Sequence, residues 1–573
     1  MDQAWLEALL AVARGEAQAD LRVDRVQIVN VVTGEIETGS LLIAGGYFAG
    51  VGQCSDLAAK EVWDGAGFYA VPGLIDAHVH LESSLLLPRE YAAALAPKGV
   101  SGAVADPHEL ANVAGAAAVR WFWAACQDLP LEVYPMVPSC VPASGLGNSG
   151  ALLDAEAVTG LLAGSYGLAE VMSFPEVITG GAVLAKLVAA EAQGLPRDGH
   201  APGLAGQELS AYLAAGIASD HEAASLAEGE ERLRRGALLM IREGSAARNL
   251  AALAPLLDQR YGERIALCTD DRLPQDLLME GGVDAVARAA IAWGRDPLVV
   301  LRAASWNVAR HYRLERRGAI LPGYRADFFL TRDLSDLRAE RVVFAGREVA
   351  RAGELIVNLP EVPDPGALLA SVKAAPLAAS ELAIPARSHR VRVIGMIPGQ
   401  LLSQDLLLPA RVEAGLAVAD PERDLAKLCV LGRHGQGGIG LGFVQGFGLK
   451  RGALAGSVAH DHHNLIAAGM SDADLALALA RVNDLGGGLV VAADGKILAE
   501  LALPVAGLLT LGSVQEAAAG MEKLEASART LGVELPAPFM ALSFLGLEVI
   551  PSLKLTDRGL IDVKRAEVVS LFV

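Results

Sequence analysis

The chain has 573 residues, 52% of them hydrophobic and 20% charged, with a formal net charge of -19. That length exceeds one ordinary domain, and the composition excludes a disordered chain. The acidic balance excludes a nucleic-acid surface, which needs a basic stripe, and an anionic membrane, and suits a neutral or cationic small substrate. No uninterrupted apolar run is long enough to span a bilayer. Five scattered cysteines, none in Cys-x-x-Cys, point to a reducing cytoplasm.

Residues 1–70 begin with MDQAWLEALLAVARGEAQADL, which carries Asp2, Glu7 and Glu16 and no early basic cluster. It reads as an amphipathic helix rather than a signal peptide. Residues 23–32 and 40–44 read as short strands punctuated by Gly34 and Gly45-Gly46, and 47–51 continue the meander. Similar β-rich stretches return at 325–330 and 341–349. The economical reading is a small β-sandwich built from both flanks, 1–70 and 316–360, around a central domain at 71–315.

The central domain opens with VPGLIDAHVHLESS at 71–84. Alternate residues of a strand share a face, so Asp76, His78 and His80 are expected to point the same way. From there to about His311, short apolar strands alternate with Ala/Leu-rich helical stretches, the pattern of βα units and a parallel sheet. Eight strands are expected, ending near His80, Asp106, Pro138, Glu170, His200, His221, Ile241 and Asp270. The fold class is therefore α/β, a (β/α)8 TIM-like barrel, which takes about 250 residues and carries its chemistry where strands end.

Residues 361–390 read as a linker, Pro- and Ala-rich with weak periodicity. Residues 391–573 form a further α/β or α+β unit. In it, 472–485 reads as a helix, Gly486-Gly487-Gly488 as its break, 489–493 as a strand and Asp494-Gly495 as a tight turn.

The chemistry concentrates at strand ends. His78 and His80 close the first strand, Glu170 the fourth, His200 the fifth, His221 the sixth and Asp270 the eighth. Four imidazoles and two carboxylates on one rim suffice for two divalent ions, which lower the pKa of a shared water. A carboxylate beside that water can take its proton and return it to the leaving group; Asp270 is the candidate. With no cysteine in the set, the residues alone specify a borderline ion with N/O ligands.

The order His-x-His, Glu, His, His, Asp resembles the amidohydrolase superfamily of metal-dependent hydrolases. PGLIDAHVHLESSLLLP, VADPHELANVAG, GHAPGL, SDHE, MIREGSAARNL and LCTDD resemble, more narrowly, the bacterial adenine deaminase family. The likeness continues through IGLGFVQGFGLKRGALAGSVAHDHHN and GGGLVVAADGKILAELALPVAGL, so it covers nearly the whole chain. The resemblance implies hydrolysis of adenine to hypoxanthine and ammonia, with hydroxide held by the metal pair attacking C6 and Asp270 delivering the proton. It implies that His78, His80 and Asp270 hold one metal and His200 and His221 the other, with Glu170 bridging where many superfamily members use a carboxylated lysine. It implies manganese, with iron as the alternative and zinc behind both. A homo-oligomer is expected, with no nucleic-acid or membrane partner.

His108 and Glu109, just past the second strand, and Glu82 are candidates to orient the purine or move a proton. The plainer reading makes Asp106 a helix cap with Pro107 at the first helical position, and Ser84 a cap as well. Arg242 and Glu243 read as an ion pair closing the barrel. His460-Asp461-His462-His463-Asn464 reads as structural or lid-forming, with direct contact to the active-site mouth as the alternative. The resembling family carries serine where His462 stands. Gly-rich 435–448 matches neither a Walker loop nor a dinucleotide-binding turn.

Two enzyme alternatives and one of another class compete with this reading. His80-Leu81-Glu82 imitates the H-x-E of single-zinc nucleobase deaminases, but their Pro-Cys-x-x-Cys is missing. A second amidohydrolase reading takes a cyclic amide or another aminopurine as substrate. A catalytically dead purine sensor would have lost a ligand or the proton shuttle, and all six positions are filled.

Overall fold

Leu74–Val79 is buried at every residue, the pattern of a strand covered on both faces. It is the first of eight parallel strands, followed by Val100–Ala105, Glu132–Pro135, Leu168–Val171, Arg197–Gly199, Ser219–Asp220, Leu238–Arg242 and Ile265–Cys268. The computed structural model describes residues 2–397 and 400–573. Ladders join the first three strands, the fourth to the fifth, and the last three. Bridges at Val137–Leu168 and Val79–Asp270, and a 3.0 Å hydrogen bond from Ala218 N to Arg197 O, close the ring. Ile75, Val104, Tyr134, Ala169, Met240 and Cys268 fill the barrel beneath its mouth. The barrel was legible because most of its strands are short apolar runs with a polar residue at or beside the C-terminal end; Arg197–Gly199 and Ser219–Asp220 are polar and were marked only by the His200 and His221 that follow them.

The flanks combine as the sequence suggested, with one refinement. The two layers of the small β unit are hydrogen-bonded into a single nine-stranded sheet. Ala19–Asn30 belongs to both layers, because its register shifts between Val23 and Val26 and Arg25 takes a left-handed conformation (φ 58°). Its first half pairs with Ala59–Asp64 and its second with Tyr69–Pro72. Phe328–Thr331 then pairs with Tyr69–Pro72, fastening the returning flank. The β-rich stretch expected at 341–349 is a hairpin of Arg341–Phe344 and Arg347–Arg351. Its turn is Ala345-Gly346, both at positive φ, and alanine there gave no sequence signal for a turn. The N-terminal helix spans Gln3–Ala13 and is capped by Asp2.

The last unit is built on an eight-stranded sheet. Helix Asp472–Asp484 contributes Leu475, Ala478 and Leu479 to the core on one face of that sheet. Helix Val514–Thr530 contributes Met521 and Leu524 to the core on the other. Asp494 and Gly495 make the left-handed turn between Gly488–Ala493 and Lys496–Ala502. This unit sits on the barrel's mouth. Asn148, in the loop after the third strand, donates to Asp557 Oδ2 at 2.6 Å and accepts from Arg558 at 2.8 Å. On the other side Thr510 N donates to Leu85 O at 2.8 Å. Among the described residues no helix is long and apolar enough to cross a membrane.

Candidate active site

The strand ends converge. His80 Nε2 lies 3.2 Å from His78 Nε2 and 3.1 Å from both Glu170 Oε1 and Asp270 Oδ1. His78 Nε2 is 3.3 Å from Asp270 Oδ1. Glu170 Oε2 lies 2.7 Å from His200 Nδ1 and 3.3 Å from His221 Nε2. All six residues are buried, and His78 stacks on His221 with ring centroids 4.2 Å apart. Glu170 thus divides its two oxygens between one group around His80 and another around His200 and His221.

Asp76 does not join them. It accepts from Thr269 Oγ1 at 2.6 Å and Thr269 N at 3.1 Å, one layer below the mouth. The strand shares its face, as the pleat requires, but the Asp76 carboxylate is spent in pinning the eighth strand to the first.

The donor set fits divalent cations. His80 Nδ1 is 3.2 Å from the carbonyl oxygen of Asp106, which can only accept, so its proton belongs on Nδ1. Nε2 then turns a lone pair toward two carboxylate oxygens, an arrangement of acceptors that a positive ion reconciles. His78, His80 and Asp270 place ligand atoms within 4.8 Å of one another, as do His78, Glu170 and His221. Nitrogen and carboxylate oxygen without thiolate suit a first-row divalent ion.

Two residues enter the site that the sequence reading did not place there. Glu222 Oε1 lies 3.5 Å from His200 Nδ1 and 3.4 Å from His221 Nε2. Arg242 Nη1 donates to Glu222 Oε1 at 2.6 Å and to Asp270 Oδ2 at 2.7 Å, while Nη2 donates to Glu222 Oε2 at 3.0 Å. The expected Arg242–Glu243 pair is therefore corrected. Alternation along a strand end sends neighbouring side chains apart, and Glu243 accepts from Leu250 N instead, at 3.0 Å. Glu222 follows His221 directly, so its position beside a candidate ligand was the available signal.

Burial pushes the carboxyls of Asp270 and Glu222 up, but the Arg242 guanidinium and the imidazoles hold both below the usual carboxylate range. Burial pushes Glu170 up too, and His200, His221 and His80 outweigh it. Arg242→Met leaves Glu222 and Asp270 buried without their cation. That loss is expected to cost about 3–5 kcal/mol of stability, read as a lowered denaturation midpoint. An unchanged midpoint would remove Arg242 from this role.

Of the three residues expected to serve the substrate, His108 lines the cavity and Glu82 and Glu109 stand behind it. His108 Nδ1 lies 3.1 Å from Asp106 Oδ2 and 3.6 Å from Glu170 Oε1. Asp106 is thus a partner of His108 and not a helix cap; Pro107 occupies the cap position of His108–Ala125, with no side-chain cap bond. Ser84 is not a helix cap either, since its hydroxyl donates to Leu81 O at 2.6 Å and closes its own turn. Ser83 Oγ donates to Asp271 Oδ1 at 2.5 Å and lies 3.3 Å from Glu109 Oε1. Glu82 accepts from Leu110 N at 3.2 Å, and burial with the neighbouring Glu109 charge pushes it up to about 8.

The C-terminal unit completes the wall. His460 Nδ1 lies 3.1 Å from Glu109 Oε1, and Asp461 Oδ1 lies 3.7 Å from His108 Nε2. His460 and Asp461 line the cavity together with Leu401, Phe544, Leu547 and Ile550. His462 and His463 point elsewhere: His462 Nε2 is 2.5 Å from Glu548 Oε1, and His463 Nδ1 accepts from Ala459 N at 3.3 Å. Asn464 accepts from Arg433 N at 3.1 Å and donates to Asn148 O at 2.9 Å, so the 460–464 cluster is divided, two residues at the mouth and three in the support.

Residues 69–349 match the amidohydrolase family, and residues 400–567 match the family described as adenine deaminase C-terminal domain. The chain is similar along its length to proteins named adenine deaminase. One from Oleidesulfovibrio alaskensis is 44% identical over 579 residues, covering 99% of each chain. Adenine deaminase 2 of Carboxydothermus hydrogenoformans is 44% identical, covering 98% of this chain and 99% of that one. A third, from Syntrophobacter fumaroxidans, is 44% identical over 575 residues, covering 100% of this chain and 99% of the other.

Proposed function

The chain belongs to the adenine deaminase family of amidohydrolases, and from that membership we propose that it hydrolyses adenine to hypoxanthine and ammonia at the barrel's mouth. The observation that carries the reading is the sharing of Glu170 between two imidazole groups, with Asp270 beside one of them and Arg242 behind it.

His78, His80 and Asp270 would hold one divalent ion and His200 and His221 a second, with Glu170 between; manganese is the reading preferred here and iron the alternative. Such a pair, when bound, supplies charge that makes water acidic enough to attack at neutral pH. The chain's own residues do the rest. Asp270 Oδ2 is fixed by Arg242, which leaves Oδ1 on the side of His78 and His80. From there Asp270 takes a proton from the attacking water as oxygen bonds to C6 and the C6=N1 π pair moves onto N1. It returns that proton to the exocyclic nitrogen, the pair on N1 re-forms the ring double bond as the C6–N bond breaks, ammonia leaves, and the remaining hydroxyl proton passes to N1 to give hypoxanthine. His108 stands across Glu170 from His200, where it can face the ring. Apolar Leu401, Leu547 and Ile550 keep bulk water off the reacting carbon.

The five cysteines are all free and buried, which fits a reducing cytoplasm as the place of action. The test is ammonia release from metal-loaded protein given adenine, adenosine and cyclic amides. Release from adenine is expected, and exhaustive chelation followed by manganese should abolish and then restore it. Release from a cyclic amide but not from adenine would replace the substrate while keeping the site.

A further inference from the structure

The cavity has two unlike halves. The barrel supplies a polar floor of His80, His108, Glu170, His200, His221 and Asp270; the C-terminal unit supplies a largely apolar roof, the His460 imidazole and one acid. That acid is Asp461, only 2% exposed. Its Oδ1 faces His108 Nε2, whereas Oδ2 is buried and has no hydrogen-bond partner among the described residues. A buried acceptor left unmatched costs stability, so Oδ2 calls for a donor from whatever occupies the cavity. The roof is flat where it matters: Phe544 stacks on His460 with centroids 4.6 Å apart and planes 12° from parallel, and Leu547 and Ile550 continue it. A largely apolar, flat-walled slot with a convergent acceptor suits a planar heteroaromatic ring that carries an N–H.

We propose that Asp461 reads the ring N–H of the free base, so that the C-terminal unit makes the enzyme select a free purine over any purine substituted at that nitrogen. The inference rests on the adenine reading above. A free base carries one ring N–H, and a nucleoside has replaced it with the sugar. A molecule without that hydrogen leaves Asp461 Oδ2 unpaired in a buried site, the situation in which hydrogen-bonding sites discriminate by about 10⁴–10⁵. The roof adds a steric objection to a sugar, so the two causes need separating.

The separating substrate is 9-methyladenine, which lacks the N–H and adds one methyl group. The experiment measures kcat/KM for adenine and 9-methyladenine in the metal-loaded wild type, Asp461→Ala and Asp461→Asn, with thermal melts to check folding. The wild type should prefer adenine by about 10³ or more, and Asp461→Ala should reduce that preference to below about 30. Asp461→Asn keeps the volume and an acceptor oxygen, and should fall between them. The proposal is overturned if the wild type accepts both substrates within about tenfold, or if both variants lose the two substrates in equal proportion, which would make Asp461 only a support for His108. Ammonia from adenine in the wild type with either of those results sinks this inference alone. No ammonia from adenine in the wild type sinks the parent reading and this one with it.

Discussion

Asp270→Asn is expected to lower kcat by about 10³–10⁴-fold, the range for removing a positioned proton-transfer group, while the protein stays folded. The expectation that folding survives has three parts. Asn and Asp share the tolerance for left-handed backbone, and residue 270 sits at φ 59°. Arg242 keeps both of its contacts to Glu222, so its charge is still met. Backbone hydrogen bonds from Asp270 N to His78 O and from His80 N to Asp270 O, at 3.0 and 2.9 Å, hold the strand end whatever the side chain. What the amide loses is the capacity to accept a proton at Oδ1. The checks are turnover of adenine, a thermal melt and metal content by elemental analysis. Near-normal turnover would remove Asp270 from the proton path and leave it as a ligand only.

Much of this site could be read along the chain, for a physical reason. A barrel strand end is a local event: a buried run stops, a polar residue follows, and a helix begins. His78, His80, Glu170, His200, His221 and Asp270 all sit at such stops, and the fold then brings them together without further instruction. Glu222 and Arg242 also sit at stops, but their partners are 20 and 28 residues away along the chain, and nothing local distinguishes such an arginine from a surface one. The roof was illegible for a stronger reason. Leu401, Phe544, Leu547 and Ile550 are ordinary core residues by composition, and only the docking of the C-terminal unit onto the loops after the second and third strands turns them toward the cavity. Asp461 was visible as part of a suggestive cluster, yet the sequence could not separate it from His462, whose partner Glu548 lies 86 residues on within the supporting layer.

Glu170→Gln should test whether the two imidazole groups act as one centre. The carboxylate faces His80 with Oε1 at 3.1 Å and His200 with Oε2 at 2.7 Å, so each oxygen serves a different group. An amide has one oxygen and one NH₂, and the NH₂ presents hydrogens where the other group needs a lone pair. One half of the centre therefore loses an anionic ligand and gains a donor aimed at the cation's place. Bound metal is expected to fall from about two ions per chain to one or fewer, since even outer contacts of a metal site are worth about 10–100-fold in affinity. Turnover should fall with it, and excess manganese should recover only part. In the absence of metal the melt should fall, because His200, His221 and His80, which hold Glu170 below the usual carboxylate range, lose their buried anionic partner. Unchanged metal content would mean that Glu170 only orients His200, and that the ions are held by the two imidazole groups separately.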